Sequence, residues 1–158
     1  MVSDLAELYE LVYSEAPYKE GPEQVERFRK SFLEEVNRPG FAMITAHDGA
    51  GCLTGVAYGW TMPAGSWWSK ADHEPSASIH NAEKFAIMEW IVHPSQRRRG
   101  VGNELLSRLL RNRPEHYATL ASDPRSEARK IYANAGWKKV AQSTLTWGPS
   151  MDLLVLKI

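Results

Sequence analysis

Leu5, Leu8, Leu11 and Val12 recur at helical spacing, so a first helix is predicted to run to about residue 15, with Ser3 and Asp4 placed to cap it. Pro17 and the Gly21-Pro22 pair interrupt that pattern. A second amphipathic helix is predicted over residues 22–37, with Val25, Phe28, Phe32, Leu33 and Val36 inward and Pro39-Gly40 closing it. The period then shortens. Residues 41–46 and 52–60 read as strands joined by His47-Asp48-Gly49-Ala50-Gly51, a hairpin with a loop longer than two residues. Gly55 and Gly59 leave room for a bulge or a close backbone approach. Residues 61–83 have little periodicity, and such a stretch inside a compact domain is often functional. Its adjacent Trp67 and Trp68 either line a substrate mouth or cover the sheet.

Residues 84–92 form the most apolar strand, which stops before Pro94. A helix to about residue 112 follows, with Leu105, Leu106, Leu109 and Leu110 as its buried stripe and Pro114 ending it. Residues 117–121 read as a short strand. Ser122-Asp123-Pro124 turns into a helix over residues 125–135 with Gly136 as its C-terminal cap. Residues 137–143 and 151–158 are strands, separated by Trp147-Gly148-Pro149. This order predicts an α/β fold, a sheet with helices on its faces. Residues 1–158 are read as a single domain, without repeats or linkers.

Composition narrows the function. Lys plus Arg and Asp plus Glu each number 19, so no net field recruits nucleic acid or an acidic membrane. One cysteine, Cys52, leaves no intramolecular disulfide and fits a reducing compartment; lacking a flanking base, it is read as a core residue. No membrane-length apolar run or signal-peptide pattern is present, so a cytoplasmic protein is expected. His47, His73, His80 and His116 lack metal-ligand spacing, and no metal is expected.

The basic cluster falls where the apolar strand hands over to a helix: Pro94-Ser95-Gln96-Arg97-Arg98-Arg99-Gly100-Val101-Gly102-Asn103-Glu104. Unpaired N–H groups and the helix dipole favour an anion there, and glycines let backbone approach a phosphate. Asn103-Glu104 replaces the Lys-Ser/Thr of a nucleotide-triphosphatase loop, and Leu105 replaces the third glycine of a dinucleotide fingerprint. Arg97-x-x-Gly100-x-Gly102 between strand and helix instead resembles the acyl-CoA loop of the GCN5-related N-acetyltransferase (GNAT) superfamily. Ile131-Tyr132-Ala133-Asn134-Ala135-Gly136-Trp137 resembles a second element of that family, Leu-Tyr-x-x-x-Gly-Phe.

The resemblance, strongest over residues 84–137, implies the acyl-CoA N-acyltransferase fold: a mixed, mostly antiparallel sheet splayed between the fourth and fifth family strands. The first family strand is missing or reduced here. It implies acetyl-CoA, or another acyl-CoA, as co-substrate. The primary amine acceptor would be a small molecule or peptide, attacking directly in a ternary complex. The backbone of Arg98, Arg99, Gly100, Val101, Gly102 and Asn103 would hold the pyrophosphate, with charge from Arg97 or Arg99. A backbone N–H near Ile91 or Val92 would polarise the thioester. Glu89, sharing a strand face with Phe85, Ile87 and Ile91, is the candidate base or else a structural carboxylate. Tyr132 is the candidate acid or else a packed tyrosine. The aromatic Trp60, Trp67 and Trp68 are candidates for receiving the amine. The alternative is a non-catalytic acyl-CoA-binding sensor or subunit. The family also pairs, and the last apolar strand is read as an edge available for a homodimer.

Overall fold

The computed structural model describes residues 1–144 and 149–158; the separator expected at Trp147-Gly148 lies outside the described residues. Helices α1 (Val2–Tyr13) and α2 (Pro22–Glu35) come first. They are followed by β1 (Ala42–His47), β2 (Leu53–Met62), a short α3 (Ala77–His80) and β3 (Lys84–Val92). After a 3-10 turn (Pro94–Gln96) come α4 (Val101–Leu110), β4 (Tyr117–Ser122), α5 (Glu127–Asn134), β5 (Lys138–Gln142) and β6 (Asp152–Lys157). The strands are ordered β1-β2-β3-β4-β6-β5 in one sheet. Pairs β1/β2, β4/β6 and β5/β6 are antiparallel, and β3/β4 is parallel. This is the expected mixed sheet flanked by helices. Among the described residues no strand precedes α1. The parallel ladder joins only Lys84, Phe85 and Ala86 to Tyr117, Ala118 and Thr119, and β3 continues past it to Val92.

The chain forms two compact units, one of Met1–Trp60 with Met88–Asn112, the other of Thr61–Ile87 with Arg113–Ile158. In the first, α1 buries Leu5, Leu8, Tyr9 and Val12, and α2 buries Val25, Phe28 and Phe32, against Val56, Tyr58 and Ile91. Three inward expectations fail: Leu11, Leu33 and Val36 are exposed. Each lies at the margin of its helix stripe, and Tyr9 takes the inward place on α1. Met1, not Ser3 or Asp4, occupies the N-cap of α1. Pro22 opens α2 at a position that needs no N–H donor, and the Gln24 side chain accepts from the Gly21 N–H at 2.9 Å. Cys52 is exposed, not core: it sits at the hairpin tip, where its N–H donates to Asp48 Oδ1 at 2.9 Å.

In the second unit the aperiodic segment is tied down. Trp68 Nε1 donates to Thr119 Oγ1 at 3.0 Å, and Trp67 Nε1 to the His73 carbonyl at 3.1 Å, which favours the cover role over a substrate mouth. Asp72 N–H reaches the Gln142 carbonyl at 2.9 Å. Lys84 is fully buried, and its ammonium donates to the carbonyls of Ile79, His80 and Ala82 at 2.8–3.1 Å, closing the C-terminus of α3. Arg113 lies 4.2 Å from the Phe85 ring centroid and donates two hydrogen bonds to Glu115. β6 lies between β4 and β5, so it is not the free edge expected of it; β5 is the outer strand.

Candidate active site

β3 stops where Pro94 removes a backbone donor, and the His93 N–H donates to the Thr54 carbonyl at 2.7 Å. His93 Nδ1 accepts from the Ser95 N–H at 3.1 Å and caps the 3-10 turn, which gives this histidine a structural task. Arg98 and Gly100 then adopt left-handed conformations, with φ of 62° and 80°. Alternation of hand about Arg99 turns successive N–H groups toward one side, an anion-binding nest. α4 begins at Val101, and the first-turn N–H groups of Val101, Gly102 and Asn103 have no acceptor among the described residues.

The two glycines differ in what they contribute. Gly100 is required by its backbone angle, and a Cβ there would meet open space. Gly102 is held differently: its carbonyl accepts from Trp90 Nε1 at 2.8 Å, and a Cβ would touch Trp90 and Val92 at ordinary contact distance, 3.6 Å. Arg97 Nη1 pairs with Glu15 at 3.1 Å, and Nε donates to the Val92 carbonyl at 3.3 Å. Arg98 and Arg99 are exposed. A cavity of about 510 Å³ adjoins the loop, walled by residues 44–47 of β1 and by Arg99, Gly100, Glu104 and Arg108.

Also in the first unit, the half-buried Glu89 accepts a hydrogen bond from the Tyr13 hydroxyl at 2.7 Å. Its pKa is pushed up to about 8. Burial is the main cause, opposed by the Tyr13 hydrogen bond and reinforced by Glu20 and Glu35. The same crowding raises the Tyr13, Tyr9 and Tyr58 hydroxyls, chiefly through burial and next through Glu89. Tyr9 stacks on Phe28 at 4.2 Å and lies 4.5 Å from the Tyr13 ring, so β3 delivers the carboxylate to an aromatic wall built by both N-terminal helices. The sequence reading named Glu89 but none of these tyrosines. Tyr13 lies 76 positions away on the last turn of an otherwise ordinary helix.

Tyr132 belongs to the second unit, in α5, nearly buried and 6.1 Å from the Trp137 ring. Ser126 caps α5 by accepting the Arg129 N–H at 3.3 Å. Gly136, at φ 93°, ends the helix as expected. Asp123 is held by Arg125 through Oδ1 and Oδ2 at 3.0 and 2.7 Å, which holds its carboxyl below the usual range.

The family model described as an acetyltransferase (GNAT) domain matches residues 67–148. Among solved structures, a GNAT-family protein from Desulfovibrio desulfuricans is similar over 99% of this chain and 91% of its own, at TM-score 0.66 and 15% identity. An aminoglycoside 6′-N-acetyltransferase complexed with coenzyme A matches over 99% and 89%, at TM-score 0.62 and 14% identity. NAA60 from Arabidopsis thaliana, in complex with a bisubstrate analogue, matches over 86% and 90%, at TM-score 0.64 and 17% identity. At these identities the likeness is one of fold. No curated protein matches the chain by sequence.

Proposed function

The chain belongs to the GNAT acetyltransferase family, and from that premise we propose that it transfers acetyl from acetyl-CoA to a primary amine of a small molecule or peptide. The amine attacks directly, in a ternary complex. The observation that carries this reading is the loop before α4, with two left-handed residues, free first-turn N–H groups and open space over Gly100. That donor set suits a pyrophosphate, which needs several short N–H contacts and no side chain in the way. Arg98 and Arg99 are available to add charge, whereas Arg97 would first have to leave Glu15.

Strand alternation refines the thioester donor. The His93 N–H points to β2, so the Ile91 N–H, two residues earlier, points the same way. The Val92 N–H then faces the opposite edge of β3, and it is the better candidate for the thioester oxygen. Glu89 as carboxylate takes a proton from the ammonium. The freed lone pair attacks the carbonyl carbon, the C–S bond breaks, and the Tyr132 hydroxyl protonates the leaving thiolate; the attacking nitrogen gives its second proton to solvent, which returns one to Tyr132. The family match runs through residues of both units, in keeping with one domain. No described helix is long and apolar enough to cross a membrane, and a cytoplasmic location is part of the proposal.

Thiol release from acetyl-CoA across an amine panel, with mass detection of the acetylated product, tests the proposal. Release that requires an amine is expected. Stabilisation by acetyl-CoA without release on any amine would instead favour a non-catalytic binder.

A further inference from the structure

Tyr132 and Trp137, both in the second unit, are locked together by the way α5 ends. Gly136, at φ 93°, lets the chain reverse. The Trp137 backbone N–H then donates to the Tyr132 carbonyl at 3.1 Å, and the Gly136 N–H to that of Ala133 at 3.4 Å. This is a Schellman cap, which brings the side chain after the glycine against one on the last turn of the helix. The two rings accordingly stand 6.1 Å apart, tilted by 54°, and both side chains are nearly buried.

Packing accounts for an aromatic ring at position 137, but not for an indole. The family element that residues 131–137 resemble has Phe here, which closes the cap without a polar atom. Trp137 is 4% exposed, and among the described residues its Nε1 is buried with no hydrogen-bond partner. The other described tryptophans all donate: Trp60 to Glu35, Trp67 to the His73 carbonyl, Trp68 to Thr119 and Trp90 to the Gly102 carbonyl. A buried donor without an acceptor costs stability, and such groups ordinarily have a partner. An indole N–H can only donate, so what completes it is a lone pair brought by a ligand.

Resting on the reading of Tyr132 as the acid at the coenzyme sulfur, we propose that Trp137 is a further catalytic residue, whose indole N–H donates to that sulfur as the thiolate forms. A thioester sulfur is a weak acceptor, so the donor gains little while the substrate is intact. When the C–S bond breaks, its electron pair stays on sulfur, which becomes an anion and a strong acceptor. The indole N–H stabilises that charge and keeps its own proton; the Tyr132 hydroxyl supplies the proton that the thiolate takes up. An interaction made only as charge develops raises kcat and leaves substrate affinity alone.

Trp137→Phe keeps a ring to close the cap and removes the N–H. Native chain and variant are compared in kcat, in acetyl-CoA affinity, and in the pH dependence of CoA binding, which reads the pKa of the bound thiol. We expect kcat to fall about 10- to 100-fold, the worth of a hydrogen bond to a charged group. Acetyl-CoA affinity should stay close to native, and the bound thiol should titrate at higher pH in the variant. A packing role alone would instead weaken acetyl-CoA and CoA in parallel and leave the thiol pKa where it is. That result, or native kcat with an unmoved thiol pKa, as when a buried water completes the N–H, overturns the inference and leaves acyl transfer standing. Should the variant fail to fold, the native chain decides: the Trp137 indole N–H resonance should move far more with CoA at alkaline pH than with acetyl-CoA, and equal shifts overturn the inference. If acetyl-CoA and CoA bind but no amine releases thiol, acyl transfer fails, and the thiol pKa and the indole resonance decide the inference by themselves. If neither binds, both fall together.

Discussion

Replacing Glu89 with Gln removes a titrating group while leaving Tyr13 an oxygen to donate to. In the folded chain the Glu89 pKa stands at about 8, against an ordinary value of 4.5. The folded state therefore holds a proton that the unfolded chain releases, and stability from this group falls as pH rises from about 4.5 to about 8. At about 1.36 kcal/mol per pH unit the full gap is about 5 kcal/mol, an upper bound. Glu89 is partly exposed, and solvent screening reduces this to about 2–3 kcal/mol. Glu89→Gln should then melt close to the native chain at pH 5 but roughly 4–12 °C above it at pH 9, at about 2–4 °C per kcal/mol for a chain of this size. Its turnover should fall by about 10²–10⁴-fold if Glu89 is the base. Paired melts at pH 5 and 9, with thiol release at pH 8, make the test. A melting difference that does not grow with pH refutes the burial account, and native turnover refutes the base.

Tyr13→Phe deletes the hydrogen bond that holds the Glu89 pKa down, so the alkaline rise of kcat/KM should move to higher pH; a pH profile of the variant checks the direction. Tyr132→Phe should lower kcat far more than acetyl-CoA affinity, measured by titration and steady-state kinetics; unaltered kcat removes the acid role. Gly100→Ala meets no steric clash but must hold φ near 80°, so it should cost about 1–2 kcal/mol in a denaturant melt and weaken acetyl-CoA binding.

Local pattern was enough wherever one segment decides its own fate. β3 stands at the boundaries its apolar run implied, and the turn, Gly100 and α4 follow from Pro94, the paired glycines and a leucine stripe. What escaped the sequence depends on tertiary placement. Lys84 reads as a polar strand start, yet three carbonyls from the preceding segment let it be fully buried. The four residues of α3 are too few to show a period. Nothing in the order of elements announces that β6 inserts between β4 and β5, so an apolar final strand looked like an edge. Tyr58 and Tyr9 look like ordinary core aromatics until Glu89, Glu20 and Glu35 are placed around them.

Amide hydrogen exchange over residues 94–105, with and without saturating acetyl-CoA, tests the loop most directly. Slowed exchange at Arg98, Arg99, Gly100, Val101, Gly102 and Asn103, whose N–H groups would exchange solvent for phosphate oxygens, is the predicted result. Unchanged exchange at those six amides while acetyl-CoA is demonstrably bound would contradict it.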